Sequence, residues 1–250
     1  GSAWLALLGL SYLRRQTERI EPSRLLAVGC ASLILAGGFH IYRSNATDIQ
    51  RYAIKSTTQS MAAADWWASD WQQLPARRID LTGETQEPLT FQWAGSLQSL
   101  QDVLLRKGWH TSAAWASLST LTWFTGSASA ANLPVVPFLA GGRFPSLTLV
   151  RQSSDVVFLD SRLVLRLWAA DVEVTNGQTA PLWIGSVAEE RVYHPLGLVT
   201  LVSTQSDVDA PRKALAEALD AGRLVSRAKG VMASDWDGQV LLARQDDMRK

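Results

Sequence analysis

Cysteine occurs once in the chain, at Cys30, so no disulfide can form within it and no set of thiolates can hold a metal. Histidine is nearly as scarce. His40, His110 and His194 are far apart, and none has the HExxH or HxH spacing that presents two imidazoles to one ion. No metal and no cofactor is expected on these grounds. A phosphate-cradling glycine loop is missing too: Gly141-Gly142-Arg143 is a lone glycine pair and reads as a turn. No G-x-S-x-G elbow is present, and Ile184-Gly185-Ser186 lies in a β-type run where no strand-to-helix turn is expected. With no base or orienting acid assigned by pattern, no residue is nominated as catalytic. An excess of one charge is also lacking. Five basic residues (Arg14, Arg15, Arg19, Arg24, Arg43) and two acidic ones (Glu18, Glu21) precede Ser44, which leaves 19 basic and 21 acidic residues in the remainder. A body without a basic stripe cannot neutralise phosphates along a nucleic acid, and no nucleic-acid partner is expected.

Apolar residues are plentiful, at 47% against 19% charged, which excludes disorder over most of the length. Leu25 to Tyr42 is an eighteen-residue run without a formal charge except on His40, and its length and hydropathy predict a transmembrane helix over 25–42. A shorter apolar stretch, Ala3 to Leu13, precedes it and reads as the end of a truncated helix over 1–15. The arginine-rich segment 16–24 between them reads as a cytoplasmic loop. The second span would then deliver the rest of the chain to the extracytoplasmic face, with the lipid bilayer and an upstream membrane domain as its partners.

From 45 to 250 the pattern predicts an α+β domain with a mixed, largely antiparallel sheet and packed helices. Residues 50–58 read as a polar strand. Ser60 would cap a helix over 61–74 that ends before Pro75. Its Trp67 and Trp71 would share a face, either buried or laid on a bilayer. Strands are predicted at 78–82 and 89–93, flanking a turn-like GETQEP. Ser96 would cap a helix stopped by Gly108. Short β-runs follow at 146–151, 156–159, 162–168, 181–187 and 199–203, with Asn176-Gly177 as a hairpin turn. Asp209 would cap a helix with Pro211 in its first turn, and a last strand is predicted over 239–244.

One constellation bears on binding. Arg162 and Arg166 lie four apart on a predicted strand, so both project from one face with Val164 between them. Arg78 and Arg151 lie on neighbouring strands. Guanidinium groups converging on one sheet face can grip an anionic lipid headgroup bidentately. The alternative pairs them with Asp160, Asp171 and Glu173 as solvated cross-strand ion pairs.

The segments DWWASDWQQLPARRIDL, PLTFQWAG, LLRKGW, RLVLRLW and PLWIGSV, in that order, resemble the LssY C-terminal domain family of bacteria. The resemblance runs from Arg51 to the C-terminus. It implies a domain that follows an integral-membrane phosphatase of the type-2 phosphatidic acid phosphatase kind, and GSAWLALLGLSYLRR is similar to the last helix of such a phosphatase. The family's late threonine-histidine pair has no counterpart in Ser203–Arg212, which lacks histidine. The phosphatase's own catalytic motifs are not among these residues either. The reading that results is a non-catalytic extracytoplasmic accessory domain at the bacterial plasma membrane, binding a headgroup, an envelope component or a partner. An independent hydrolase using His194 with nearby acids, or a scaffold for membrane assembly, is the alternative.

Overall fold

In the computed structural model the chain divides into two units, Gly1–Ser56 and Thr57–Lys250. The structure describes residues 29, 32, 58–112, 123, 128–153, 160–197, 199–220, 222–227 and 236–249. The second unit is organised around one long hairpin, in which β7 (Ser161–Asn176) and β8 (Gln178–Tyr193) are each sixteen residues. Gly177 turns between them at φ +71°, a left-handed conformation that a residue without Cβ adopts freely. Two extra residues of β7 bulge between Ala169 and Glu173, with Asp171 at φ +56°. Arg143 holds that bulge by an ion pair of 2.7 Å to Asp171.

The other strands add to this hairpin. On the β7 side come β6 (Leu147–Gln152) and β5 (His110–Thr111); on the β8 side come β4 (Phe91–Ala94), β11 (Gln239–Arg244) and β10 (Arg223–Ser226). Further along the same two strands, β1 (Gln59–Ala62) pairs parallel with β7 and β9 (Leu201–Thr204) pairs antiparallel with β8. β2 (Arg77–Ile79) and β3 (Thr85–Pro88) form a separate small hairpin. The helices are short: α1 (Ala63–Ala68), α2 (Leu97–Arg106) and α3 (Asp209–Leu219).

Strand alternation divides the sheet into two apolar faces. One carries Phe91, Trp93, Leu149, Leu163, Leu165, Leu167 and Val187 and packs under Leu100 and Leu104 of α2 and Leu215 and Leu219 of α3. The other carries Trp168, Val172, Val174, Leu182, Ile184 and Leu242 and packs against Trp66 and Trp71. Gln92, buried on this second face, accepts from Trp66 Nε1 at 2.9 Å and donates to the Trp71 carbonyl at 3.0 Å. One amide thus satisfies both ends of the tryptophan segment. Trp66 and Trp67 stand with ring centroids 5.5 Å apart and planes tilted by 59°, and the Arg244 guanidinium lies 4.7 Å from the Trp67 ring centroid.

These findings correct the expected α+β composition. The described chain is mostly β-sheet with few helices, because the β-runs read separately at 162–168 and 181–187 belong to two continuous sixteen-residue strands. Among the described residues no helix is long and apolar enough to cross a membrane, against the expectation of one full and one truncated transmembrane helix. The longest, α3, has eleven residues, about half of what a bilayer requires. The stretches 1–15 and 25–42 on which those spans were read, and the polar strand at 50–58, lie outside the described residues except for 29, 32 and 58, as does the β-run at 156–159.

Smaller corrections have local causes. The helix over 61–74 is split. Ser60 and Met61 are drawn into β1 by the free edge of β7, six residues form α1, and a 3-10 turn at Asp70–Gln73 follows. The segment read as a turn before Pro88 is mostly strand β3. Its turn is held instead by Asp80, whose carboxylate accepts from the Thr82 and Glu84 amides, the Thr82 hydroxyl and the Gln86 side chain. The side chain capping α3 is that of Asp207, not Asp209: its Oδ1 accepts from the Asp209 and Ala210 amides. Ser96 does cap α2, accepting from the Ser99 amide at 3.1 Å.

Candidate functional site

Of the four arginines singled out, the fold brings three together. Arg162 and Arg166 project from the second sheet face and are buried, at 2% and 1% exposure. Glu190 of β8 lies opposite Arg162 in the register and serves both. Arg162 donates Nε and NH2 to Glu190 Oε2 at 3.0 and 2.8 Å, while Arg166 NH2 donates to Oε1 at 2.6 Å. Further donors reach a single crossing segment. Arg162 NH1 donates to the carbonyls of Ala130 and Leu133, and Arg166 NH2 reaches Val136 O at 3.4 Å. Two buried guanidiniums thus fix the path of residues 130–136 over the sheet.

Arg78 joins them from β2. Its Nε donates to Glu87 at 2.7 Å and its NH1 to Leu139 O at 2.6 Å. The Arg78 and Arg166 guanidiniums both lie over the Phe138 ring, 4.9 and 4.3 Å from its centroid, within cation–π range. Beside Phe138 opens a cleft of about 520 Å³ between the β2–β3 hairpin, Pro137–Leu139 and β8–β9. Arg78, Arg166, Leu81, Thr82, Ala188 and Thr204 are among its walls. Two acids also line it, and both are engaged: Glu87 by Arg78, Asp80 by its own turn. Hydrogen bonds from Thr82, then Glu84 and Gln86, hold the Asp80 carboxyl below its ordinary value against a smaller opposing effect of desolvation. Arg166 Nε and Ser186 Oγ, opposite one another on β7 and β8, are buried without a hydrogen-bond partner.

Arg151 is not part of this group. It sits opposite Leu163, and alternation sends it to the helix-covered face. There it lies 5.3 Å from the Trp109 ring centroid, and burial lowers its pKa while the charge of Glu217 raises it. The solvated ion pairs read with Asp160, Asp171 and Glu173 are not formed by Arg162 and Arg166 either. Asp171 pairs with Arg143, and the true partner is the buried Glu190. Sequence reading missed Glu190, Glu87 and Phe138. A carboxylate on the facing strand was the signal for the first, and a lone aromatic between two prolines and an arginine gave none for the last.

His194 also has neighbours. Its Nδ1 lies 3.1 Å from Thr200 Oγ1 and its Nε2 3.7 Å from Asp160 Oδ2. Thr200 is only 1% exposed, so a substrate carbonyl cannot reach its hydroxyl, and the trio braces the β8–β9 connection instead of forming a nucleophile. Among the described residues no three His, Cys, Asp or Glu side chains are grouped to hold a metal ion.

No curated protein and no solved structure matches the chain. The family model described as LssY C-terminus matches residues 71–237. That span contains the Arg162–Glu190–Arg166 cluster, Arg78, Phe138 and every wall of the cleft. With more than half of its length matched, the chain belongs to the LssY C-terminus family.

Proposed function

We propose that the domain is a non-catalytic accessory module of the bacterial envelope that binds an anionic group in the cleft beside Phe138. The observation that carries this reading is a charge imbalance: Arg162 and Arg166 share the one carboxylate of Glu190, and Arg166 lines the cleft. Within this trio the second guanidinium is met by a carbonyl dipole and the Phe138 ring, and of the two cleft carboxylates Glu87 is already paired with Arg78 while Asp80 is engaged by its own turn. In a low-dielectric setting the surplus positive charge is felt strongly by an anion arriving from solvent. The apolar walls at Leu81, Pro137, Phe138, Leu139 and Ala188 suit the root of a phosphorylated or carboxylated headgroup better than a bare ion. The family resemblance adds a context. Beside a membrane lipid phosphatase on the extracytoplasmic side, such a module would retain headgroups near the enzyme that acts on them.

The test uses the full chain and vesicles of phosphatidylcholine with or without phosphatidic acid, with soluble glycerol phosphate as competitor. Thr204 lines the cleft and is exposed on β9, so its charge can be changed without disturbing the core. Phosphatidic acid should raise vesicle binding, Thr204→Glu should weaken that gain several-fold, and Thr204→Lys should strengthen it. Binding of soluble glycerol phosphate with no vesicle preference would assign the site to a free phosphate compound. Equal behaviour of the two Thr204 variants would overturn the cleft as the site.

A further inference from the structure

The connection from β8 to β9 presents apolar side chains to solvent in a fixed shape. Leu196 at its tip is 93% exposed and holds φ +55°, a left-handed conformation that leucine rarely takes. Tyr193 and Leu201, paired across the base of the loop, are 46% and 41% exposed. The loop does not owe this shape to looseness. Gly197 N donates to His194 O, Thr200 N donates to Trp123 O, and His194 is braced between Thr200 and Asp160. A constrained backbone therefore holds a large apolar side chain away from the protein.

Shape and size identify what such a tip fits. From Arg191 to Ser206 the sequence has no acidic residue, and its two basic side chains, Arg191 and His194, lie against Glu189 at 3.2 Å and Asp160 at 3.7 Å. The three side chains of this tip that protrude among the described residues offer far less than the roughly 800 Å² that each partner contributes to a stable protein interface. A single convex leucine flanked by a tyrosine suits a fluid apolar medium with a wet boundary. Tyrosine is favoured at the bilayer headgroup level, where its ring is buried and its hydroxyl stays wet. We infer that the β8–β9 loop is a membrane-docking tip whose Leu196 enters the interfacial layer of a lipid bilayer.

This goes beyond the cleft and does not depend on it. The two features are related all the same: Leu201 closes the loop and Thr204 lines the cleft, at opposite ends of β9, roughly 10 Å apart along a strand. The decisive measurement is local. A Cys30→Ser, Leu196→Cys chain labelled with a polarity-sensitive dye is mixed with vesicles of phosphatidylcholine and phosphatidylglycerol. Its emission should shift to the blue, while the same dye on Gln98→Cys, exposed on α2, should not shift. No shift at position 196, or an equal shift at both, overturns the inference. Leu196→Gly keeps the fold, since glycine accepts the positive φ freely, and should bind the same vesicles roughly tenfold more weakly. Unchanged affinity overturns the inference too. So does a dimer that Leu196→Gly abolishes without any dye response to vesicles, which would assign the tip to self-association. Loss of the phosphatidic acid preference with a retained dye shift would instead sink the cleft and leave the tip standing.

Discussion

The Glu190 carboxylate is the most demanding side chain in the molecule. It is buried with two guanidiniums on its two oxygens, and removing its charge leaves both without a counter-ion. Glu190→Gln should destabilise the domain by about 3–5 kcal/mol, read as a fall in the denaturation midpoint by near-UV circular dichroism. Arg166→Met should cost clearly less, because it leaves the two-donor Arg162–Glu190 pair intact. Equal losses would mean that Arg166 carries a share of the fold the hydrogen bonds do not suggest. The sequence announced that Arg162 and Arg166 share a face, since alternation along a strand requires it. It did not announce their partner. Counting back from the Asn176-Gly177 turn places Arg162 opposite Val192, and only the bulge at 170–172 moves it to Glu190. Bulges of this kind have no reliable sequence mark.

At the scale of the element, the β2–β3 hairpin is held at its turn by one ionised side chain. Asp80 accepts from Thr82, Glu84 and Gln86, and its folded pKa lies below the ordinary 3.8. A carboxyl depressed by folding contributes stability that is complete above its unfolded pKa and is lost as pH falls through the folded value. Amide exchange at Thr85–Gln86 should therefore be protected at neutral pH and accelerate only below about pH 4. Asp80→Asn should remove that acid dependence and leave the hairpin looser at every pH; unchanged protection in the variant would show that the turn is set by the backbone alone. Elements with strong local signals, such as Ser96 before α2 and the Asn-Gly turn, were legible in advance. The segment 59–74 was not. Its helical pattern is real, but the open edge of β7 takes its first residues as a strand and Gln92 binds two of its three tryptophans, Trp66 and Trp71. Those are choices made by tertiary partners.

The whole molecule extends beyond its family signature at both ends. The matched span, 71–237, omits β1, α1 with the buried Trp66, and β11. Yet β11 sits inside the sheet, between β10 and β4, and contributes Val240, Leu241 and Leu242 to the core. A fragment of residues 71–237 should lack a cooperative thermal transition and aggregate through the bared edge of β4, whereas 57–250 should unfold in one step. Light scattering and circular dichroism on the two fragments check this. A cooperative 71–237 fragment would mean that the strand order overstates the importance of β11.

The two neighbouring indoles at Trp66 and Trp67 give the molecule an optical property of its own. Transition dipoles this close and this far from parallel exchange excitation, so the pair should give a signed couplet in the ultraviolet circular dichroism spectrum. Because Arg244 of β11 rests on one of the two rings, the couplet reports the seating of β11 on α1. Stopped-flow observation at that band would time the closing of the sheet without any added label.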